Sequence, residues 1–105
     1  MERVDYIGLI AEPSGVRRAV TIDYSQQLPS GVTLSSCVVN VYDIYSGAIA
    51  NIIASGVATL SASNTKATVS VQSAADGKQY KMKFTAILSD AQQWIDYVKY
   101  VCKDL

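Results

Sequence analysis

Apolar side chains recur at every second position along most of this chain, the spacing that gathers them on one face of a β-strand. In Leu34-Ser35-Ser36-Cys37-Val38-Val39-Asn40-Val41-Tyr42, the set Cys37, Val39, Val41 alternates with Ser36, Val38, Asn40. Ala67, Val69 and Val71 alternate with Lys66, Thr68, Ser70 and Gln72. Tyr80, Met82, Phe84, Ala86 and Leu88 alternate with Lys81, Lys83 and Thr85. Each run describes a half-buried strand with one wet face, and the abundance of Val, Ile, Thr and Tyr suits a pleated surface. Turn signals separate the runs: Glu12-Pro13-Ser14-Gly15, Pro29-Ser30-Gly31, Tyr45-Ser46-Gly47, Ser63-Asn64 and Ala75-Asp76-Gly77. Proline presets φ there, while glycine and asparagine accept positive φ. The pattern predicts strands near 3–10, 16–24, 33–43, 56–61, 65–72, 79–88 and 92–102. Short strands with turns at this spacing make an all-β sandwich or barrel. Its expected core includes Cys37, Val39, Val41, Tyr80, Met82, Phe84 and Trp94.

The segment 89–105 supports two assignments. Ser89 followed by Gln92 fits a helix capping box, and Trp94, Tyr97, Val98, Val101 and Leu105 share one helical face. As a strand, Ser89-Asp90-Ala91 becomes a hairpin turn leading into Gln92–Cys102, which is rich in aromatic and β-branched residues. Local signals slightly favour the helix. A sandwich needs a closing edge after Leu88, so the expectation is a strand, with the helix as its alternative.

At 105 residues the chain is one domain, and it buries roughly 65% of its unfolded surface on folding. Half the residues are hydrophobic and 17% are charged, which argues against intrinsic disorder. Nine basic residues balance nine acidic ones. Nucleic-acid binders carry an excess of Lys and Arg, and the longest basic run here is Arg17-Arg18, so no nucleic-acid partner is expected. A net charge of zero gives little protection against self-association. The N-terminus has Glu2, Arg3 and Asp5 ahead of a short apolar run, unlike a secretory leader. The uncharged stretch containing Ser46 to Thr65 is broken by Gly, Ser and Asn and is too polar for a bilayer span. The expectation is synthesis in the cytosol and no membrane partner.

Candidate chemistry is sparse. With no histidine, Ser-His-Asp and Cys-His nucleophile pairs are excluded. Asp23, Asp43, Asp76, Asp90 and Asp96 fall mainly at predicted strand ends and turns, where aspartate bonds its own backbone. No dinucleotide, P-loop or calcium-loop spacing occurs. The chain is therefore expected to be non-enzymatic, with no catalytic, metal or cofactor residues. Cys37 and Cys102 lie outside any CxxC spacing, and read either as buried free thiols or as a disulfide from an oxidising compartment. In the N-terminal RVDYIGLI, Val4, Tyr6 and Gly8 alternate with Asp5, Ile7 and Leu9, so both faces carry apolar side chains. That makes Val4, Tyr6, Ile7 and Leu9 a candidate docking segment; the plainer reading is an ordinary first strand in the core.

Two resemblances extend this reading. Asp76-Gly77-Lys78-Gln79-Tyr80-Lys81-Met82 resembles the immunoglobulin pattern in which Asp precedes Tyr by four positions and Cys follows it by two. In that family the Tyr is a corner residue whose hydroxyl bonds nearby backbone. Met82 stands where the Cys would be, so the family's inter-sheet disulfide cannot form, and Cys37 is expected in the core near Met82. The stretch Glu12-Pro13-Ser14-Gly15-Val16-Arg17-Arg18-Ala19-Val20-Thr21-Ile22-Asp23-Tyr24-Ser25, leading into Leu28-Pro29-Ser30-Gly31-Val32-Thr33-Leu34-Ser35, resembles the opening of small tailed-bacteriophage proteins of the fibre–tail adaptor-like group. Ala75-Asp76-Gly77-Lys78-Gln79-Tyr80 and the Ser89-Asp90-Ala91-Gln92 turn resemble that group as well. Tyr24 replaces the group's usual Trp, and Ala91 stands where Gly is common.

The resemblance covers most of 12–102. It implies an immunoglobulin-like sandwich of about seven strands, with 12–105 as the domain and 1–11 as an N-terminal arm or first edge strand. It also implies a virion structural subunit at the tail, or at its junction with fibres or head, made in the host cytoplasm. Its partners would be other virion proteins and copies of itself, and no catalytic residue carries over. The alternative is an immunoglobulin-like adhesion or carbohydrate-binding module of a bacterial surface protein, which would use an aromatic platform around Trp94.

Overall fold

The computed structural model describes residues 6–12, 17–72, 74–75 and 77–102. The described elements are all strands: β1 (Tyr6–Glu12), β2 (Arg18–Asp23), β3 (Leu34–Asp43), β4 (Thr59–Ser61), β5 (Lys66–Val71), β6 (Gln79–Leu88) and β7 (Gln93–Cys102). Two three-stranded antiparallel sheets, β2-β5-β4 and β7-β6-β3, pack face to face, and β1 extends the second by pairing with β7 in parallel. The antiparallel frame thus has six strands rather than the expected seven or so, the first segment being added to it as a parallel edge. Strands two, five and four in one sheet and three, six and seven in the other reproduce the B-E-D and C-F-G order of an immunoglobulin sandwich.

Alternation along each strand sends one set of side chains between the sheets. Val20 and Ile22 of β2 and Ala67, Val69 and Val71 of β5 meet Cys37, Val39, Val41, Met82, Phe84, Ala86, Val98 and Tyr100 from the other sheet, all buried. Each core residue expected from periodicity lies there, and Trp94 packs half-buried against the same cluster. Tyr80 makes the corner bond: the Ala75 N–H donates to its hydroxyl at 3.0 Å.

The C-terminal segment is a strand, with no helix among the described residues. Full pairing with β6, from Ile87↔Gln93 to Gln79↔Val101, outweighs the local helical preference. The expected strand at 56–61 shrinks to Thr59–Ser61, because the chain before it shuttles between sheets. It bonds β3 through Ala50 N–H to Val41 O, then β5 through Ala54 N–H to Ser70 O, then β3 again through Ala58 N–H to Cys37 O. This crossing segment closes one side of the sandwich.

The expected Cys37–Met82 proximity is not found. Cys37 pairs with Ala86 and Val41 pairs with Met82, which separates the two by roughly 14 Å along the sheet. Both cysteines are buried, and they form no disulfide with each other. Cys37 shares a row with Ala86 and Trp94, and Cys102 lies eight residues further along β7, far beyond disulfide reach.

Candidate docking surfaces

Opposite the closed side, the gap between the sheets stays open as a groove of about 850 Å³. Ile10 of β1, Val20 and Ile22 of β2, Tyr24 just beyond β2, and Trp94 and Asp96 of β7 line it. The Tyr24 ring lies 6.2 Å from that of Trp94, tilted by 41°. The Tyr24 hydroxyl is buried between the Cys37 thiol and the Asp96 carboxylate and forms a well-aligned hydrogen bond with neither.

The electrostatics follow from burial. Desolvation raises the Tyr24 pKa, with the acidic groups of Cys37 and Asp96 adding to it. Burial pushes the Cys37 thiol up to about 11, against a lowering contribution from the Tyr24 hydroxyl and a raising one from Asp96. Asp96 is itself raised by burial, partly offset by Tyr24. A fully buried, protonated thiol is poorly equipped as a nucleophile. The groove is a mixed trough: apolar side chains and the Asp96 carboxylate form its wall, and Thr21, Asp23, Gln27 and Gln93 add polar groups to its lining.

Asp96 departs from the turn role expected of the aspartates. Asp23 accepts from the Ser25 N–H, Asp43 from the Tyr45 and Ser46 N–H groups, and Asp90 from the Gln92 N–H. These bonds hold Asp23 and Asp43 below the usual carboxylate range. Asp76 lies outside the described residues. Asp96 instead pairs with Phe84 in mid-strand, on the side of β7 that carries Trp94 and Val98. Its shared parity with those two residues was the available sequence signal.

Of the candidate docking segment, Val4 lies outside the described residues, and Tyr6, Ile7 and Leu9 fall in β1. Their backbone is committed to the fold: Tyr6 pairs with Tyr97 and Leu9 with Lys99, with a register shift between Tyr6 and Gly8.

Sequence reasoning passed over the outer face of β3-β6-β7. Directly opposed residues share a face, so the register Val57↔Val38, Val38↔Thr85 and Thr85↔Ile95 draws one apolar row across the sheet. Val38, Val57 and Ile95 are 43%, 64% and 44% exposed. Next along the strands are Asn40, Lys83 and Tyr97, then Tyr42, Lys81 and Lys99. The Lys81 ammonium sits over the rings of Tyr42 and Tyr97, at 5.6 and 5.5 Å from their centroids. The signal was present in the pattern: Val38 and Ile95 occupy positions whose parity belongs to the wet face.

No protein-family model matches the chain, and no curated protein matches it. Among the described residues no group of three or more His, Cys, Asp or Glu is placed to hold a metal ion, and no helix is long and apolar enough to cross a membrane.

Proposed function

We propose that this chain is a non-enzymatic structural subunit of a tailed-bacteriophage or prophage particle, an adaptor that joins tail or neck to fibre or head components by protein–protein contacts. The observation that carries this reading is the apolar row Val57-Val38-Thr85-Ile95 on the outside of a rigid sandwich. Its side chains contribute nothing to the core, and exposed apolar surface of this kind suits a contact with another protein. The corner bond of Tyr80 supports the immunoglobulin resemblance, and the positive φ at Ala91, where the phage-adaptor group commonly has Gly, is compatible with the phage one. Trp94 spends its ring on Tyr24 and the core, so the carbohydrate-platform alternative gains no support.

The test is peptide mass spectrometry on purified particles from the strain that encodes the chain. Stoichiometric recovery in intact particles is the expected result. Absence from particles, with recovery in the cell-envelope fraction, would sink the virion reading and favour the adhesion module.

A further inference from the structure

Lys81 and Lys99 stand directly opposite each other on β6 and β7. Like charges at directly opposed positions destabilise a sheet, and Lys83 adds a third positive charge two residues along β6. The described carboxylates do not answer them. Asp43 is engaged by Lys78 at 3.4 Å, Asp23 lies by Lys66 at 4.0 Å, Asp90 accepts a hydrogen bond in its own turn, and Asp96 points into the sandwich groove. The two tyrosine rings hold Lys81 in place by cation–π contact, which fixes the positive cluster beside the apolar row. A local conflict kept on an otherwise consistent frame marks a functional surface.

We infer that the outer face of β3-β6-β7 docks an acidic protein segment, one that lays apolar side chains on Val38, Val57 and Ile95 and carboxylates on Lys81, Lys83 and Lys99. This names the partner chemistry for the assembly role proposed above and rests on that reading. The same face of a second copy would set lysine against lysine, so the complementary surface is a different one. A nucleic acid fits less well: the chain has no cationic excess, the rings a base would stack on already hold Lys81, and the apolar row has no phosphate or base to meet.

The experiment uses the full chain, isotopically labelled, titrated by NMR with a synthetic peptide of alternating glutamate and valine. A lysine–valine peptide and a short oligodeoxythymidylate serve as counter-probes. The glutamate peptide alone is expected to shift the amides of Val38, Thr85, Ile95, Lys81, Lys83 and Lys99. Lys99→Glu should weaken that binding by about tenfold or more, and should raise the melting temperature by placing opposite charges across the strand pair. Lys83→Ala, away from the opposed pair, should weaken binding without a gain in stability. The inference is overturned if the glutamate peptide leaves the face unshifted, if either counter-probe binds it equally well, or if Lys99→Glu binds as tightly as the parent. Recovery of Lys99→Glu in particles at parental level would overturn the face while leaving the virion reading intact. Binding of the glutamate peptide by a chain absent from particles would uphold the face and remove the virion reading.

Discussion

Ala91 adopts φ +72° in the turn between β6 and β7, the left-handed region in which an L side chain crowds the neighbouring carbonyl oxygen. The turn is built as a type I turn closed by a left-handed residue, the geometry that favours glycine at that position. The Ala91 N–H donates to Leu88 O at 3.0 Å, the Leu88 N–H donates to Gln92 O at 2.8 Å, and Asp90 accepts from the Gln92 N–H at 3.1 Å. The Ala91 side chain is exposed and contributes nothing to the core. Ala91→Gly therefore removes a conformational cost of about 1–2 kcal/mol. Against this stands about 0.5–1 kcal/mol from the greater freedom of glycine in the unfolded chain. The net is a gain of about 0.5–1 kcal/mol, which in a domain of this size raises the melting temperature by roughly 2–6 °C. Thermal and urea unfolding followed by circular dichroism measure it, with an unchanged urea slope expected because no surface is newly exposed. Ala91→Val, β-branched at positive φ, should move the midpoint the other way. A destabilised Ala91→Gly would refute the strain argument and the turn geometry with it.

Tyr80→Phe deletes the acceptor of the Ala75 N–H and should cost about 1–2 kcal/mol in urea unfolding; an unchanged midpoint would show that the corner bond is idle. Phe84→Ala, at a fully buried position, should cost about 3–5 kcal/mol, read by the same unfolding curves, and a loss below 1 kcal/mol would contradict its central place. Asp96 binds its proton more tightly in the fold than in the unfolded chain, so its charge weakens the fold above its folded pKa and that penalty fades as pH falls. Asp96→Asn should therefore raise the melting temperature at neutral pH and lose that advantage in acid; a destabilised variant at neutral pH would contradict the burial argument. Cys37 keeps its proton up to about pH 11 in the fold, whereas an unfolded thiol releases it near 8.5. Its contribution is present below about pH 8.5 and is lost as pH rises toward 11, a slope that Cys37→Ala should remove from the urea midpoints.

The frame of the sandwich was legible because period-two alternation reports directly on burial. Tyr80, Met82, Phe84, Cys37, Val39 and Val41 all sit in the core, and the Asp76-to-Met82 spacing pointed to the tyrosine corner that Ala75 completes. Register is non-local and was less readable. Cys37 falls opposite Ala86 because turn lengths and the β3–β6 pairing set its neighbour, and no local pattern around either cysteine carries that information. The segment before β4 defeats periodicity for a physical reason: residues 50–58 bond the two sheets in alternation, so no single face exists for their side chains to alternate about. In the C-terminal strand, Trp94 and Val98 fit the helical face and the strand parity alike, Tyr100 fits only the strand, and the need to pair β6 decides between them. The outer face escaped notice because Lys81, Lys83 and Lys99 each look like ordinary wet-face residues. Their significance comes from being brought side by side across β6 and β7, next to Ile95 on β7 and Val38 on β3.

Zero-length carbodiimide coupling joins lysine amines to carboxylates they already touch, so it tests the docking account where the account says docking occurs. Applied to intact purified particles and read by mass spectrometry, it should link Lys81, Lys83 or Lys99 to glutamates or aspartates of another virion protein. Links confined to Lys66 and Lys78, or links from the three face lysines only to carboxylates of the same chain, would contradict it.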